Sequence, residues 1–278
     1  MRASRLAVVL STGGVGGIAH LGVLGRLQER GIRIPVLVGA SAGALVAAYY
    51  AALGDPLEAL IEDAAGTTPA RLAAMALHVR RLPVPGRAAR EHCEHLIRRL
   101  EALDAVSFDR LRGPVDALGV LAFDWSRLSG FFACTGSAET GTLSVGHVVR
   151  GSASVPLLFP PMRVATGART CALSDGGLVR SLPLEWAFAP PLSATHALGV
   201  QLPTLRRHID SLLPSRRRFL NGHAHRILVV VPNVRLVPDA FRGRSGMQAI
   251  YRRGYEALDE TILQTLESWQ RTPPPASA

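Results

Sequence analysis

The sequence predicts an α/β protein whose central, mostly parallel sheet is covered by helices. Two short apolar runs near the N-terminus, residues 6–10 and 34–38, are each followed by a glycine-rich turn. Helical patterns follow both turns, at residues 18–30 and 43–53. Strands and helices that alternate in this way are typical of a parallel sheet, because parallel neighbours need a crossover connection between them.

Later segments predict further elements of the same sheet and its covering helices. Strands are predicted at residues 115–123, 170–174, 197–201 and 226–231. Residues 131–135 and 142–145 predict the two arms of a β-hairpin with glycines near its turn. Residues 155–161, apolar and rich in proline, predict a loop. Helices are predicted at residues 147–154 and, as one long C-terminal helix, at residues 247–269.

The length and composition indicate one folded domain. The chain has 278 residues, of which 48% are hydrophobic and 19% charged, which is a globular balance. We expect a single domain over residues 1–270, in which the helical segment 56–110 interrupts the strand–helix alternation as a cap or insertion. Residues 271–278 contain three consecutive prolines and predict a disordered tail.

The sequence shows no membrane-spanning or exported pattern. No apolar run approaches the roughly 18 residues of a transmembrane helix. The apolar run behind Arg2 and Arg5 is too short for the core of a signal peptide. We therefore expect a cytoplasmic protein. Its three cysteines offer neither a disulfide framework nor paired metal ligands, so no metal site is predicted.

The basic residues exclude several mechanisms. Every one of the 31 Lys or Arg residues is arginine, and the formal net charge is +10. Without lysine there is no Schiff-base lysine, no P-loop lysine and no Ser–Lys dyad. Clusters such as Arg80-Arg81 and residues 216–218 would attract an anionic membrane peripherally, although genomic base composition also explains them. No nucleic-acid module accompanies them and aromatic residues make up 5%, so no nucleic-acid partner is predicted.

Ser41 is the candidate nucleophile. It stands in Gly39-Ala40-Ser41-Ala42-Gly43, between an apolar strand and an alanine-rich helix. A serine at such a corner presents its hydroxyl in the open, and the small neighbours admit a substrate; the motif also fits a simple strand–helix turn. An α/β-hydrolase order of Ser, acid and His is met by Asp175 and a later histidine, but that fold places its nucleophile after several strands.

Asp175 is the candidate general base. It follows an apolar strand and precedes Gly176 and Gly177. A carboxylate within hydrogen-bond reach of Ser41 could accept the hydroxyl proton without a histidine. Asp-Gly-Gly also occurs in ordinary turns, because aspartate and glycine readily adopt the backbone conformations that turns require.

The glycine-rich turn at residues 13–17 allows two interpretations. Residues 14–19 fit the dinucleotide fingerprint Gly-x-Gly-x-x-Ala, but that fingerprint needs an acidic residue after the next strand, where this chain has the Ser41 motif. Alternatively, the glycine amides form an oxyanion hole at the positive end of the following helix. The neighbouring Ser41 motif favours the oxyanion hole.

Five ordered segments together resemble the patatin-like phospholipases: residues 10–24, 38–48, 153–161, 174–183 and 252–257. The family pattern is a strand, a glycine-rich oxyanion loop, a helix, Gly-x-Ser-x-Gly and a distant Asp-Gly-Gly or Asp-Gly-Ala. The resemblance covers most of the chain, and the combination is specific although each piece alone is weak.

The resemblance implies a three-layer α/β/α patatin-like fold and a serine acyl hydrolase acting on lipid or phospholipid esters. It implies a Ser41–Asp175 dyad without histidine, and neither metal nor cofactor. It implies that the amides of Gly13, Gly14 and Val15 form the oxyanion hole. The remaining motif glycines are Gly16, Gly17, Gly39, Gly43, Gly176 and Gly177.

The sequence departs from the family pattern in the oxyanion loop. Thr12 stands where the family usually has its first glycine, and Gly16 where it usually has Arg or Lys. Arg180 and Ser181 stand where Asn is common. The substituted glycine loop and the arginine surplus support an alternative: a catalytically silent or weakly active, membrane-associated lipid-binding protein of the same fold.

Overall fold

The computed structural model describes residues 4–84, 86–167, 169–235, 239 and 242–271. Within them, eight strands form one sheet: β1 Leu6–Leu10, β2 Val36–Ala40, β3 Ala117–Asp124, β4 Ser129–Cys134, β5 Met162–Thr166, β6 Arg169–Ser174, β7 His196–Val200 and β8 Ile227–Val230. The α-helices are α1 Ile18–Glu29, α2 Ala42–Ala48, α3 Leu57–Gly66, α4 Pro69–Val79, α5 Arg87–Ala102, α6 Val145–Ser152, α7 Leu184–Phe188, α8 Leu205–Leu212, α9 Pro214–Gly222, α10 Gly243–Glu256 and α11 Glu260–Arg271.

The sheet is parallel at its centre, as the sequence predicts. The strand order is β5-β6-β3-β2-β1-β7-β8, with β4 paired to β3. Strands β3, β2, β1, β7 and β8 are mutually parallel, whereas β4, β6 and β5 are added through antiparallel pairs. Because the carboxyl ends of parallel strands share one edge, the turns that follow β1 and β2 lie side by side.

Helices cover both faces of the sheet, which confirms the three-layer architecture. Leu6, Val8 and Leu10 of β1 belong to a large core cluster with side chains of α1, α2 and α6. Ala7 and Val9 belong to a second cluster with side chains of α7. Successive residues of a strand point to opposite faces, so a central strand that is apolar at every position requires cover on both sides.

Two predicted elements are wrong, and local capping explains both. The segment predicted as one C-terminal helix is two, α10 and α11, because the Asp259 carboxylate accepts a hydrogen bond from the amide of Ile262 at 2.8 Å and starts a new helix. Strand β4 pairs with β3 rather than with residues 142–145. Ser144 instead caps α6, accepting a hydrogen bond from the amide of His147.

The pattern also leaves four elements unpredicted: strand β5 and helices α7, α8 and α9. Helix α7 is short, and in α9 only Arg216 is buried, so neither has the apolar periodicity that makes longer helices recognisable.

The segment 56–110 forms three helices, α3, α4 and α5, as its helical composition predicts. Ala74, Met75, Val84 and Cys93 form a small apolar cluster of their own there. In the described part of the chain, no helix combines the length and apolarity needed to cross a bilayer. Of the predicted tail, Arg271 ends α11, and residues 272–278 lie outside the described residues.

Helices α1 and α10 cross at two glycines. A Cβ placed on Gly22 would collide with the carbonyl oxygen of Tyr251, and one placed on Gly254 would collide with the carbonyl oxygen of Ala19. The two backbones therefore touch directly, and this contact holds the C-terminal part of the chain against the helix that follows the glycine loop.

Replacing Gly22 with alanine should lower the free energy of unfolding by about 1–3 kcal/mol, because the added methyl group must push the two helices apart. Chemical denaturation measures the effect. Gly222→Ala is the matched control, since a Cβ there meets nothing within 4 Å. Equal stability of both variants would contradict the close helix crossing.

Candidate active site

Ser41 occupies a strained corner between β2 and α2. Its backbone angles are φ 54° and ψ −122°, a region that non-glycine residues rarely adopt. A Cβ on Gly39 would collide with the Gly43 carbonyl, and one on Gly43 would collide with the Leu10 carbonyl. Close backbone contacts therefore require glycine at both positions of the motif. Through Gly43, the start of α2 packs directly against the end of β1.

The structure brings Asp175 to Ser41. The Ser41 hydroxyl donates a hydrogen bond to Oδ2 of Asp175 at 2.6 Å, and both residues are buried. The other carboxylate oxygen, Oδ1, accepts a hydrogen bond from the amide of Gly177 at 2.7 Å. The Asp175 amide donates to the carbonyl of Ser154 at 2.9 Å. Both ends of Asp175 are therefore fixed, and one oxygen faces the serine.

Burial raises the pKa of the Asp175 carboxyl above its ordinary value. The hydrogen bonds from Ser41 and from the Gly177 amide oppose this rise, since they favour the charged form, but desolvation is the larger effect. A carboxylate with a raised pKa is a better proton acceptor than one in water. This is the property that a lone general base requires.

Ser152 holds the backbone of the candidate nucleophile. Its hydroxyl accepts a hydrogen bond from the Ser41 amide at 2.9 Å and donates one to the Leu121 carbonyl at 2.6 Å. These contacts tie the strained corner to α6 and to β3. Sequence reasoning missed this residue, because nothing in the helix that contains Ser152 marks it as a partner of Ser41.

The glycine loop lies beside the corner. A Cβ on Gly17 would be 3.0 Å from the Cβ of Ala42, the residue after Ser41. Residues 14–17 form a 3₁₀ turn that leads into α1. Among the described residues, no hydrogen bond occupies the amides of Gly13, Gly14 or Val15. These groups are free to bind an anion, and the first amides of a helix favour this.

Three contacts anchor the start of the loop. The Thr12 amide donates to the Ser181 carbonyl at 2.9 Å, and the Ser11 hydroxyl accepts from the Leu202 amide at 2.8 Å. Nε2 of His20 lies 2.8 Å from the Ser11 carbonyl and therefore carries the proton. Desolvation of this fully buried ring lowers its pKa to about 4, so His20 is neutral at pH 7. Sequence analysis missed this role of His20.

The two departures in the loop have different surroundings. Thr12 is nearly buried, and its methyl group would lie 3.1 Å from a Cβ on Gly177. The side chain of Thr12 thus packs against the turn whose amide binds Asp175. Gly16 is buried in the 3₁₀ turn, and its amide donates to the Gly13 carbonyl at 3.0 Å.

No histidine in the described part of the chain hydrogen-bonds to Ser41 or Asp175. Nδ1 of His223 lies 3.0 Å from the Phe219 carbonyl, and the ring of His196 stacks on Trp269. The histidines that follow Asp175 therefore give no support to a Ser-His-Asp triad.

A cavity of about 330 Å³ adjoins the corner and the glycine loop. Its wall is mainly apolar and comes from α2, α3, α4, α5 and residues 159–162. Of its charged residues, Arg99 pairs with Asp63 at 2.8 Å, and Arg150 pairs with Asp104 at 2.7 Å. The paired charges leave an apolar compartment of a size typical of small-ligand sites.

Comparisons with known proteins identify the family to which the chain is similar. A family model described as patatin-like phospholipase matches residues 8–188. The uncharacterized protein YqhO of Bacillus subtilis is 28% identical over 192 residues, covering 65% of this chain and 66% of that protein. An uncharacterized NTE family protein of Mycobacterium tuberculosis is 31% identical over 192 residues, covering 64% of this chain and 27% of that protein.

Among solved structures, VipD from Legionella pneumophila is similar with a TM-score of 0.54 and 15% identity, over 96% of this chain and 67% of that one. This likeness concerns the fold. The matches to the two curated relatives span less than two thirds of their lengths.

Buried His20 should make the protein less stable as the pH falls from about 6.5 to about 4. In this window the unfolded chain binds a proton at His20 and the folded chain does not, so the free energy of unfolding falls by on the order of 3 kcal/mol. Denaturant titrations at several pH values measure it. His20→Gln keeps a donor for the Ser11 carbonyl but does not titrate. Its free energy of unfolding should therefore fall less over the same pH range. Identical pH dependence of the two proteins would contradict a neutral, buried His20.

Proposed function

We propose, since the chain belongs to the patatin-like phospholipase family, that it is a serine acyl hydrolase of lipid esters, of the phospholipase or lysophospholipase type. One observation carries the proposal. The Ser41 hydroxyl lies 2.6 Å from an Asp175 carboxylate whose pKa is raised by burial. A nucleophile and its base in direct contact, beside free backbone amides and an apolar cavity, suit acyl transfer.

In the proposed first step, Oδ2 of Asp175 takes the proton of the Ser41 hydroxyl as Oγ attacks the ester carbonyl carbon. The carbonyl oxygen becomes an oxyanion, and we assign its stabilisation to the amides of Gly13, Gly14 and Val15. Backbone donors that are already in place need no reorganisation when the charge develops, which is why they stabilise it strongly. The Gly16 departure leaves these three amides unchanged, because backbone donors do not depend on a side chain.

The tetrahedral intermediate then collapses. The ester C–O bond breaks, and the leaving alcohol takes the proton from Asp175, which leaves the acyl group on Ser41. In the second half, Asp175 takes a proton from a water molecule as that water attacks the acyl carbonyl. Collapse returns the proton to Oγ of Ser41 and releases the fatty acid. No metal or cofactor enters these steps.

We assign the cavity to the acyl chain of the substrate and the segment 56–110 to its wall. Leu60 of α3, Leu72 and Met75 of α4 and Leu96 of α5 line it. Each buried methylene of an acyl chain contributes about 0.8 kcal/mol to binding. The proposed function thus gives the segment that interrupts the α/β pattern a role as the acyl-binding side of the domain.

Ser41→Ala should abolish hydrolysis, and Asp175→Asn should lower kcat/KM by about 10²–10⁴-fold because the serine loses its base. Turnover of a set of lipid classes and of a soluble short-chain ester measures this, and a fluorophosphonate probe should label the wild type but not Ser41→Ala. Asp116→Asn, at an exposed aspartate that pairs with Arg33, is the matched control and should keep full activity.

Three results would contradict this assignment. Equal labelling of the wild type and Ser41→Ala would exclude Ser41 as the nucleophile. Full activity of Asp175→Asn together with inactive His223→Ala or His225→Ala would indicate a Ser-His-Asp esterase. No turnover of any ester, with intact lipid binding, would indicate the silent lipid-binding alternative.

The raised pKa of Asp175 gives the reaction a defined pH dependence. Asp175 must be ionised to accept the serine proton, so activity should fall as the pH falls through its pKa. That fall should be centred above 3.8, the ordinary value for an aspartate. We expect it in kcat/KM for a soluble ester, measured where circular dichroism shows a folded protein. Activity that stays constant to below pH 3.8 would contradict Asp175 as the base.

A further inference from the structure

Exposed apolar side chains are concentrated in two segments near the cavity, residues 79–82 and 155–159, which we call the lip. Leu157 is 92% exposed, Leu82 51% and Leu158 45%. Val79 and Val155 are exposed as well. Single exposed apolar residues are ordinary on protein surfaces, but a contiguous group of them marks an interaction site.

The two segments form one surface because Arg80 joins them. Its Nε donates a hydrogen bond to the Leu158 carbonyl at 2.9 Å, and its Nη2 donates to the Leu157 carbonyl. Phe159 packs against the apolar cluster of α4 and α5. The proline-rich loop, with its exposed leucines, is therefore held against the end of α4, and the exposed Leu82 follows Arg80 by two residues in the chain.

Leu157 has a backbone conformation that is energetically unfavourable for leucine. Its φ is 72°, in the left-handed region where glycine and asparagine are favoured. A leucine there gains nothing from burial, since it is almost fully exposed. A turn that served only as a connection would be more stable with glycine. We therefore infer that the Leu157 side chain interacts with another molecule.

The lip lies at the entrance of the cavity. Val79 and Phe159 belong to the lip and also line the cavity wall, as do Pro160 and Pro161 immediately after the loop. The same short stretches of chain thus have one side toward the apolar interior and the other toward solvent. Whatever binds the lip is therefore placed next to the cavity, whose wall also includes Ala42, the residue after Ser41.

Cations flank the lip. Arg80, Arg81 and Arg90 are exposed and form no ion pair with another described residue. Residues 79–90 contain four arginines and no acidic residue. An apolar centre with a cationic rim is complementary to an anionic bilayer, in which hydrocarbon lies beneath negative headgroups.

We propose that the lip docks the protein onto an anionic lipid surface, with Leu82, Leu157 and Leu158 inserted among the acyl chains and Arg81 against the headgroups. The cavity entrance then faces the bilayer, so that a lipid can enter without crossing water. The identity of the lipid as substrate rests on the proposed function; the docking surface does not.

The test is binding to vesicles of phosphatidylcholine and phosphatidylglycerol, measured by flotation. Ser41→Ala is the starting protein, so that no lipid is consumed. Adding Leu157→Asn, which suits the left-handed backbone, should weaken binding about tenfold, and Leu157→Asn with Leu158→Ser should weaken it further. Arg81→Gln should weaken binding to anionic vesicles at low salt and have little effect on vesicles of phosphatidylcholine alone.

Val229→Thr is the matched control, because Val229 is 44% exposed on the edge strand β8 and belongs to no part of the lip. It should bind as Ser41→Ala does. Circular dichroism confirms folding of each variant. In the active protein, the lip variants should lose turnover of vesicle lipid and keep turnover of a soluble short-chain ester.

The outcomes separate the docking surface from the reaction. Unchanged vesicle binding by the lip variants, or no binding by Ser41→Ala itself, would overturn the lip as the docking site and leave soluble esterase activity as evidence for the proposed function. Lip-dependent binding without turnover of any ester would uphold docking and reject the reaction. A wild-type dimer that becomes monomeric in Leu157→Asn, without vesicle binding, would make the lip a contact between two copies of this chain and overturn the proposal.

Discussion

The hydrogen bond between Ser41 and Asp175 joins residues 134 positions apart in the chain, and the arrangement of the site follows from it. Ser41 must stand at the carboxyl end of β2, and Asp175 at the end of β6. These strands are not neighbours, since β3 lies between them. The contact therefore passes over β3 close to Leu121, whose carbonyl accepts a hydrogen bond from the Ser152 hydroxyl that holds the Ser41 amide.

That contact is maintained against two costs. Ser41 has a strained backbone, typically worth 1–3 kcal/mol, and Asp175 is a carboxylate removed from water. Close backbone packing at Gly39 and Gly43 and the hydrogen bonds to Ser152 and Gly177 keep the chain from relaxing. The strain and the burial are useful if the proposed reaction occurs, because they present the hydroxyl and strengthen its base.

The same site is bounded by two surfaces of different chemistry. Toward the sheet, the glycine loop offers backbone amides and is anchored through Ser11, Thr12 and a neutral His20. Toward α3, α4 and α5, the wall is apolar and continues outward into the lip. An ester group at the loop with its acyl chain along the apolar wall would satisfy both surfaces, which links the proposed reaction to the proposed docking surface.

The sequence alone determined the parallel centre of the sheet, the corner at Ser41 and the glycine loop, because apolar strands and glycine turns depend on local backbone requirements. The place of Asp175 after a strand made it a candidate base, with an ordinary turn as the alternative, and the family resemblance implied its pairing with Ser41. Only the tertiary structure decided that Asp175 reaches Ser41, that Ser152 and His20 support the site, and that α10 and α11 are separate. Those contacts join residues distant in sequence or depend on single capping side chains. Neither kind of contact produces a periodic pattern in the sequence. The long-range contacts depend on how the strands and helices pack, and a cap depends on a single residue.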